Sequence, residues 1–262
     1  NNGFDAVLNL KAISADQGFR LNGAGLGNTV SNAGDINGDG YDDLLIGVDE
    51  NRLNFSDPDS SYVIFGTERP FSAPLNLANL DGHDGFRLDG SAGGDGAGFS
   101  VSGAGDVNGD GLDDLIIGAP GADSNGGNAG SSYVVFGRTS TFSDVFDLSS
   151  LNGRNGFRLD GGRELYGSGF SVSGIGDFNG DGFDDVMVGA PNADPDGFRV
   201  GASYIVFGKA SNFNAALSLS HLDGKDGLIV KGTQIFDRFG EFIGGAGDVN
   251  GDGFDDVIAS VS

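Results

Sequence analysis

Nine residues, DINGDGYDD at Asp35–Asp43, hold four aspartates, an asparagine and two glycines. Near-copies follow as DVNGDGLDD (Asp106–Asp114), DFNGDGFDD (Asp177–Asp185) and DVNGDGFDD (Asp248–Asp256), each 71 residues after the one before. A step kept to the residue over four copies makes the chain a repeat, and a repeat constrains architecture more tightly than any single element. Other segments keep the same step: SYVIFG, SYVVFG and SYIVFG begin at Ser61, Ser132 and Ser203. GFRLDG begins at Gly85 and Gly156, and a degenerate GLIVKG begins at Gly227. A related GFRLNG at Gly18 precedes the first acidic loop, with a step shorter by four residues.

Each unit reads as short strands. GFSVSGAGD (Gly98–Asp106) alternates small and apolar residues up to the acidic loop, and DDLIIGAP (Asp113–Pro120) is a β-branched run stopped by Gly and Pro. SSYVVFG and GFRLDG supply a third and a fourth strand. No long helical period is present, and LNLANLDGHDG (Leu75–Gly85) and LSSLNGRNG (Leu148–Gly156) read as a helical turn or loop. Four strands per unit predict an all-β chain of four-stranded antiparallel β-propeller blades, because neighbouring blades cover both faces of each sheet. A β-solenoid is the alternative, but 71 residues is long for a solenoid coil.

The expected organisation is one propeller domain over 1–262, with repeats at about 24–90, 91–161, 162–232 and 233–262 and a closing strand in 1–23. That makes three complete blades and a partial fourth, about half of a seven-bladed ring. A four-bladed ring lacking one strand is the competing arrangement. A half ring alone would expose two blade faces and self-associate.

In the acidic loops, side-chain oxygens fall at positions 1, 3, 5 and 9. These are Asp35, Asn37, Asp39 and Asp43; Asp106, Asn108, Asp110 and Asp114; Asp177, Asn179, Asp181 and Asp185; Asp248, Asn250, Asp252 and Asp256. Gly at position 6 lets the chain curl about a point. Position 7, occupied by Tyr41, Leu112, Phe183 and Phe254, would offer a backbone carbonyl. Hard oxygens at this spacing suit Ca²⁺, about four ions in all; Mg²⁺ demands tighter octahedral geometry, and Zn²⁺ wants His or Cys. The other reading is an acidic turn without an ion. The remaining aspartates, Asp42, Asp113, Asp184 and Asp255, are expected to point away, toward solvent or neighbouring backbone.

Composition closes several function classes. The formal charge of −24 argues against nucleic acid and anionic membranes. Four divalent ions would bring it to about −16. Disorder fits poorly with 38% hydrophobic residues and 21 phenylalanines in regular runs. Absence of Cys excludes disulfides and thiolate metal sites, no apolar run is long enough for a membrane span, and no signal peptide is visible. No catalytic constellation emerges: His83 and His221 occupy non-equivalent repeat positions, and a site copied four times is a poor candidate for chemistry, which needs one asymmetric pocket.

GFSVSGAGDVNGDGLDDLIIGAP (Gly98–Pro120) and its counterpart ending at Pro191 resemble the FG-GAP repeat, which builds the integrin alpha-subunit propeller and many bacterial surface proteins. The resemblance covers essentially the whole chain and implies an ion between the first two strands of each blade. There are departures: the eponymous Phe-Gly survives only at Phe239-Gly240, its matching positions being Leu26-Gly27, Ala97-Gly98 and Ser168-Gly169, and Gly-Ala-Pro survives only at Gly118–Pro120 and Gly189–Pro191. In integrin-like propellers ligands bind opposite the calcium loops. Here that face would carry the divergent loops, with Arg163, Tyr166, Phe198, Arg199, Phe236 and Arg238 as contact candidates. Asn152–Arg154 forms an Asn-Gly-Arg tripeptide in a repeated turn. The expectation is an extracellular, non-enzymatic adhesion or protein-recognition propeller. A carbohydrate-binding or accessory module of a secreted hydrolase and a structural spacer are the alternatives.

Overall fold

The computed structural model describes residues 18–23, 26–48, 59–68, 71, 74–123, 127–162, 167–194, 199–210 and 213–261. The first sheet orders β2 (Leu26–Gly34), β3 (Asp43–Val48), β4 (Ser60–Ile64) and β6 (Gly85–Asp89) as an antiparallel blade. The second repeats this with β7 (Ser100–Gly105), β8 (Asp114–Ala119), β9 (Ser131–Val135) and β11 (Gly156–Asp160). The third uses β12 (Ser171–Gly176), β13 (Asp185–Ala190), β14 (Ala202–Val206) and β16 (Gly227–Lys231), and β17 (Ile243–Gly247) and β18 (Asp256–Ala259) begin a fourth. These are the blades of a β-propeller, with the strand order read from the repeat.

The helical turns expected within Leu75–Gly85 and Leu148–Gly156 are present, at Leu77–Asn79 and Leu148–Ser150, and a short strand leads into each. β10 (Val145–Asp147) adds in parallel to β6 of the preceding blade, and β15 (Ala216–Ser218) adds to β11 in the same way. Each is followed by a three-residue 3₁₀ turn, Leu148–Ser150 in the second blade. Its Asp147 carboxylate caps the turn by accepting from Ser149 N. Every complete blade therefore reaches back to clip the outer edge of its predecessor, which also covers an otherwise unpaired strand. β5 (Leu75–Asn76) does the same to β1 (Leu21–Asn22), so the GFRLNG segment sits where an outer strand of a preceding blade belongs.

The cores lie between blades. Leu45, Val63 and Phe86 of the first blade meet Val101, Leu115 and Tyr133 of the second. Phe142, on the approach to β10, stacks on Phe86 with centroids 4.3 Å apart. One step along, Phe213 stacks on Phe157 at 4.6 Å. Burying one such aromatic contributes about 1.5–3 kcal/mol. β8 and β13 have neighbours on both faces and are buried throughout, which explains their unbroken apolar runs.

The end faces differ. Val30 is 72% exposed where its counterpart Val101 is 8%, and Val249 is 73% exposed where Val107 is 0%.

Close approach between blades dictates the small residues of the inner strand. Ser31 Oγ accepts from Gly103 N at 3.2 Å, Ser102 Oγ from Gly174 N at 3.3 Å, and Ser173 Oγ from Gly245 N at 3.4 Å. A Cβ on Gly118 would overlap the Gly169 carbonyl of the next blade. The register shifts between Gly103 and Gly105, a bulge that turns β7 into its acidic loop.

Candidate metal centres

The four acidic loops join the first two strands of each blade and share one internal wiring. Asp35 Oδ1 accepts from Gly38 N at 2.8 Å and Asp39 N at 3.0 Å, and Oδ2 accepts from Gly40 N at 2.8 Å. Asp106, Asp177 and Asp248 make the corresponding three bonds. This wiring needs a left-handed residue at position 6, and Gly40, Gly111, Gly182 and Gly253 have φ of 87°, 88°, 90° and 91°. Asp39 Oδ1 accepts from Tyr41 N, and Asn37 Nδ2 donates to Asp39 Oδ2.

Position 9 closes the loop from inside the blade. Asp43, Asp114 and Asp185 are fully buried. Asp114 Oδ2 accepts from Val107 N and Oδ1 from Gly137 N, both at 2.9 Å, so one carboxylate ties the loop's start to the end of β9. Burial pushes Asp43 up to about 7, Asp114 to about 8 and Asp185 to about 7; backbone N–H groups oppose the shift, and the position-5 aspartate adds to it in all three, joined by the position-1 aspartate at Asp43 and Asp114. Asp248, in the exposed fourth loop, moves the other way, lowered by backbone N–H groups with Gly253 first.

Among the described residues, no three carboxylate or imidazole groups converge into a ready metal cage. The physical reason is local: the position-1 and position-9 carboxylates are turned onto backbone N–H groups. The donor set still fits a hard divalent cation. An ionised carboxylate offers about four acceptor sites, and Asp114 spends two and Asp106 three on the bonds above. None of the ion pairs among the described residues reaches these carboxylates. Clustered anions without a basic partner, some buried enough to favour protonation, are stabilised by an added divalent charge.

The side chains at position 7 do something the sequence did not suggest. Phe183 lies over Gly109 of the preceding loop and Phe254 over Gly180, so a Cβ on either glycine would overlap the ring. The second aspartates also have a defined destination. Asp113 Oδ2 accepts from Asp35 N at 2.8 Å, Asp184 Oδ2 from Asp106 N at 2.7 Å, and Asp255 Oδ2 from Asp177 N at 2.9 Å. Of the two directions expected for these side chains, neighbouring backbone is the one taken, and it belongs to the blade before. A glycine with φ of 69° at positions 34, 105 and 176, always just before the first aspartate, was the available signal.

At the other end of the strands, the divergent loops of adjacent blades interlock. Gly130 bridges Ser168 and Gly201 bridges Phe239. The Arg199 carbonyl accepts from Phe236 N at 2.7 Å, bringing two of the contact candidates together. Phe236 is 72% exposed with φ of 69°, unusual for a bulky residue. Arg238, at φ 48°, is committed to Glu241 through bonds of 3.1 and 2.9 Å. Arg163, Tyr166 and Phe198 lie outside the described residues. His83 and His221 are exposed. Asn152 and Arg154 line a cavity of about 480 Å³ beside Asn108 and Asp110, on the acidic-loop side.

Residues 26–64, 97–135 and 168–206 match the FG-GAP repeat, each match running from the inner strand through the acidic loop to the third strand. The chain carries FG-GAP repeats. It is 30% identical to integrin alpha-4 of Xenopus laevis over 158 residues, which is 59% of this chain and 13% of that protein. It is 32% identical to integrin alpha-V of Gallus gallus over 166 residues, 62% of the chain and 14% of the relative. With integrin alpha-PS2 of Drosophila melanogaster it shares 29% over 229 residues, 86% of the chain and 14% of that protein. The FG-GAP chain thus spans about one seventh of the length of these integrin relatives.

Proposed function

We propose that the chain is a calcium-stabilised propeller segment of an extracellular protein, and that it recognises a protein ligand through the loops opposite its acidic loops. The observation that carries the calcium reading is the fourfold identity of loop wiring. Asp at position 1 collects three N–H groups around a left-handed glycine, and the carboxylates have no basic partner among the described residues. Each loop would hold one Ca²⁺ through the oxygens at positions 1, 3, 5 and 9 and the carbonyl at position 7. The bound ion would neutralise the carboxylates and pin the first two strands of the blade.

Adhesion or ligand recognition is favoured by the similarity to integrin alpha chains. Exposed Phe236 in a backbone conformation costly for a bulky residue supports that face as the contact surface, since strain is kept where it serves a site. Residues 1–262 form one propeller domain in this reading, and the apolar end faces around Val30 and Val249 make the isolated chain self-associate.

Calorimetric titration of the chelator-stripped chain with calcium tests the central claim. About four ions should bind, and the melting temperature should rise with calcium. A chain that takes up no calcium and melts identically in calcium and chelator would refute it.

A further inference from the structure

The acidic loops are wired to one another as well as within themselves. The second aspartate of each loop after the first reaches the preceding blade, where Asp113, Asp184 and Asp255 each accept from the backbone N–H of a position-1 aspartate. The backbone repeats the link in the opposite sense: Asp113 N donates to Asp35 O at 3.4 Å, and Asp184 N to Asp106 O at 3.2 Å. The residue before each clasped aspartate is a glycine at φ 69°, and a Cβ there would overlap the incoming carboxylate. Position 1 is also the hub that gathers the three N–H groups of its own loop.

The clasp therefore fixes the backbone of the residue about which a loop is folded, and the group that fixes it belongs to the next loop along. Among the described residues Asp42 and Asp248 N take no part in such a bond.

We propose that the second aspartate is a positioning residue for the neighbouring loop: Asp113 sets the cation affinity of loop 35–43, not that of its own loop. The inference rests on the reading that these loops hold a cation. A group held in place before binding loses less freedom when the ion arrives, so a clasped loop binds more tightly than an unclasped one. Loading one loop in turn steadies the segment from which the clasp on its predecessor extends, so sites along the array fill with positive coupling.

Tyr41 makes the idea testable site by site, because it is the one tyrosine in the four acidic loops. Terbium, a hard oxygen-seeking ion, luminesces when excited through a nearby tyrosine, so the signal reports on loop 35–43 of the full chain. Asp113→Ala should weaken terbium binding there by about tenfold, the lower range for losing a charge-assisted hydrogen bond. Asp113→Asn, which keeps an acceptor but carries the same charge change, should recover most of the affinity. Asp42→Ala, in the same loop as Tyr41, should change it by less than about twofold.

Asp113→Ser, whose hydroxyl stops short of Asp35 N, should reproduce the Asp113→Ala loss, which keeps the test open if one variant fails to fold. Equal losses from Asp42→Ala and Asp113→Ala, or a loss from Asp42→Ala alone, would overturn the coupling while leaving the cation reading intact. Absence of any calcium-displaceable terbium signal in the unaltered chain would overturn the cation reading, and the coupling with it.

Discussion

Asp114→Asn separates the structural and metal-binding duties of the position-9 carboxylate. Asp114 is fully buried, and its two oxygens accept from Val107 N and Gly137 N, each at 2.9 Å. Asparagine has the same shape but one acceptor oxygen, so one buried N–H meets an amide NH₂ and loses its partner, costing about 1–3 kcal/mol. Removing the ionisable group offsets part of that, since burial pushes this carboxyl up to about 8 and folding at pH 7 must therefore protonate it. Without metal, the net loss should be about 0–2 kcal/mol.

In calcium at a hundred times its Kd, the unaltered loop gains about 2.7 kcal/mol from the ion. A hundredfold weaker site keeps only about 0.4 kcal/mol of that. The loss in calcium should therefore exceed the loss in chelator by about 2 kcal/mol. Urea unfolding at pH 7 under both conditions measures the two losses. Equal losses would show that Asp114 only staples backbone and would refute its assignment as a ligand.

Three further outcomes are expected. In chelator, the folded chain holds protons on Asp43, Asp114 and Asp185 up to about 7, 8 and 7, whereas the unfolded chain releases them near 3.8. The folded state binds more protons in that window, so stability falls as pH rises from about 4 to 8, and a urea midpoint that climbs over this interval would contradict the assignment. Gly118→Ala drives a methyl into the Gly169 carbonyl of the next blade and should lower stability by about 1–3 kcal/mol with or without calcium. Phe236→Gly should raise stability by about 1 kcal/mol, because φ of 69° is free for glycine, while weakening capture of a protein ligand. A fall in melting temperature would show that Phe236 is a packing residue.

Strand order within a blade and the left-handed turn of each acidic loop were legible in the residues because a 71-residue step aligns every local signal three or four times. Alternation marks the inner strand, the apolar run marks the doubly covered β8 and β13, and the glycine at position 6 marks a left-handed turn; each follows from short-range sterics or burial. Distances across blades could not be read that way. Val145–Asp147 is too short to carry a period in the sequence, and it is a strand only because β6 of another blade offers an open edge.

The same holds for the second aspartate. Within its own nonapeptide Asp113 has no task, and its role appears only when the next blade is stacked so that its carboxylate meets Asp35 N. Local conformation followed from the sequence. Which loop speaks to which was settled by the stacking, since hydrogen bonds act over about 3 Å and residues 78 apart reach that range only in the assembled fold.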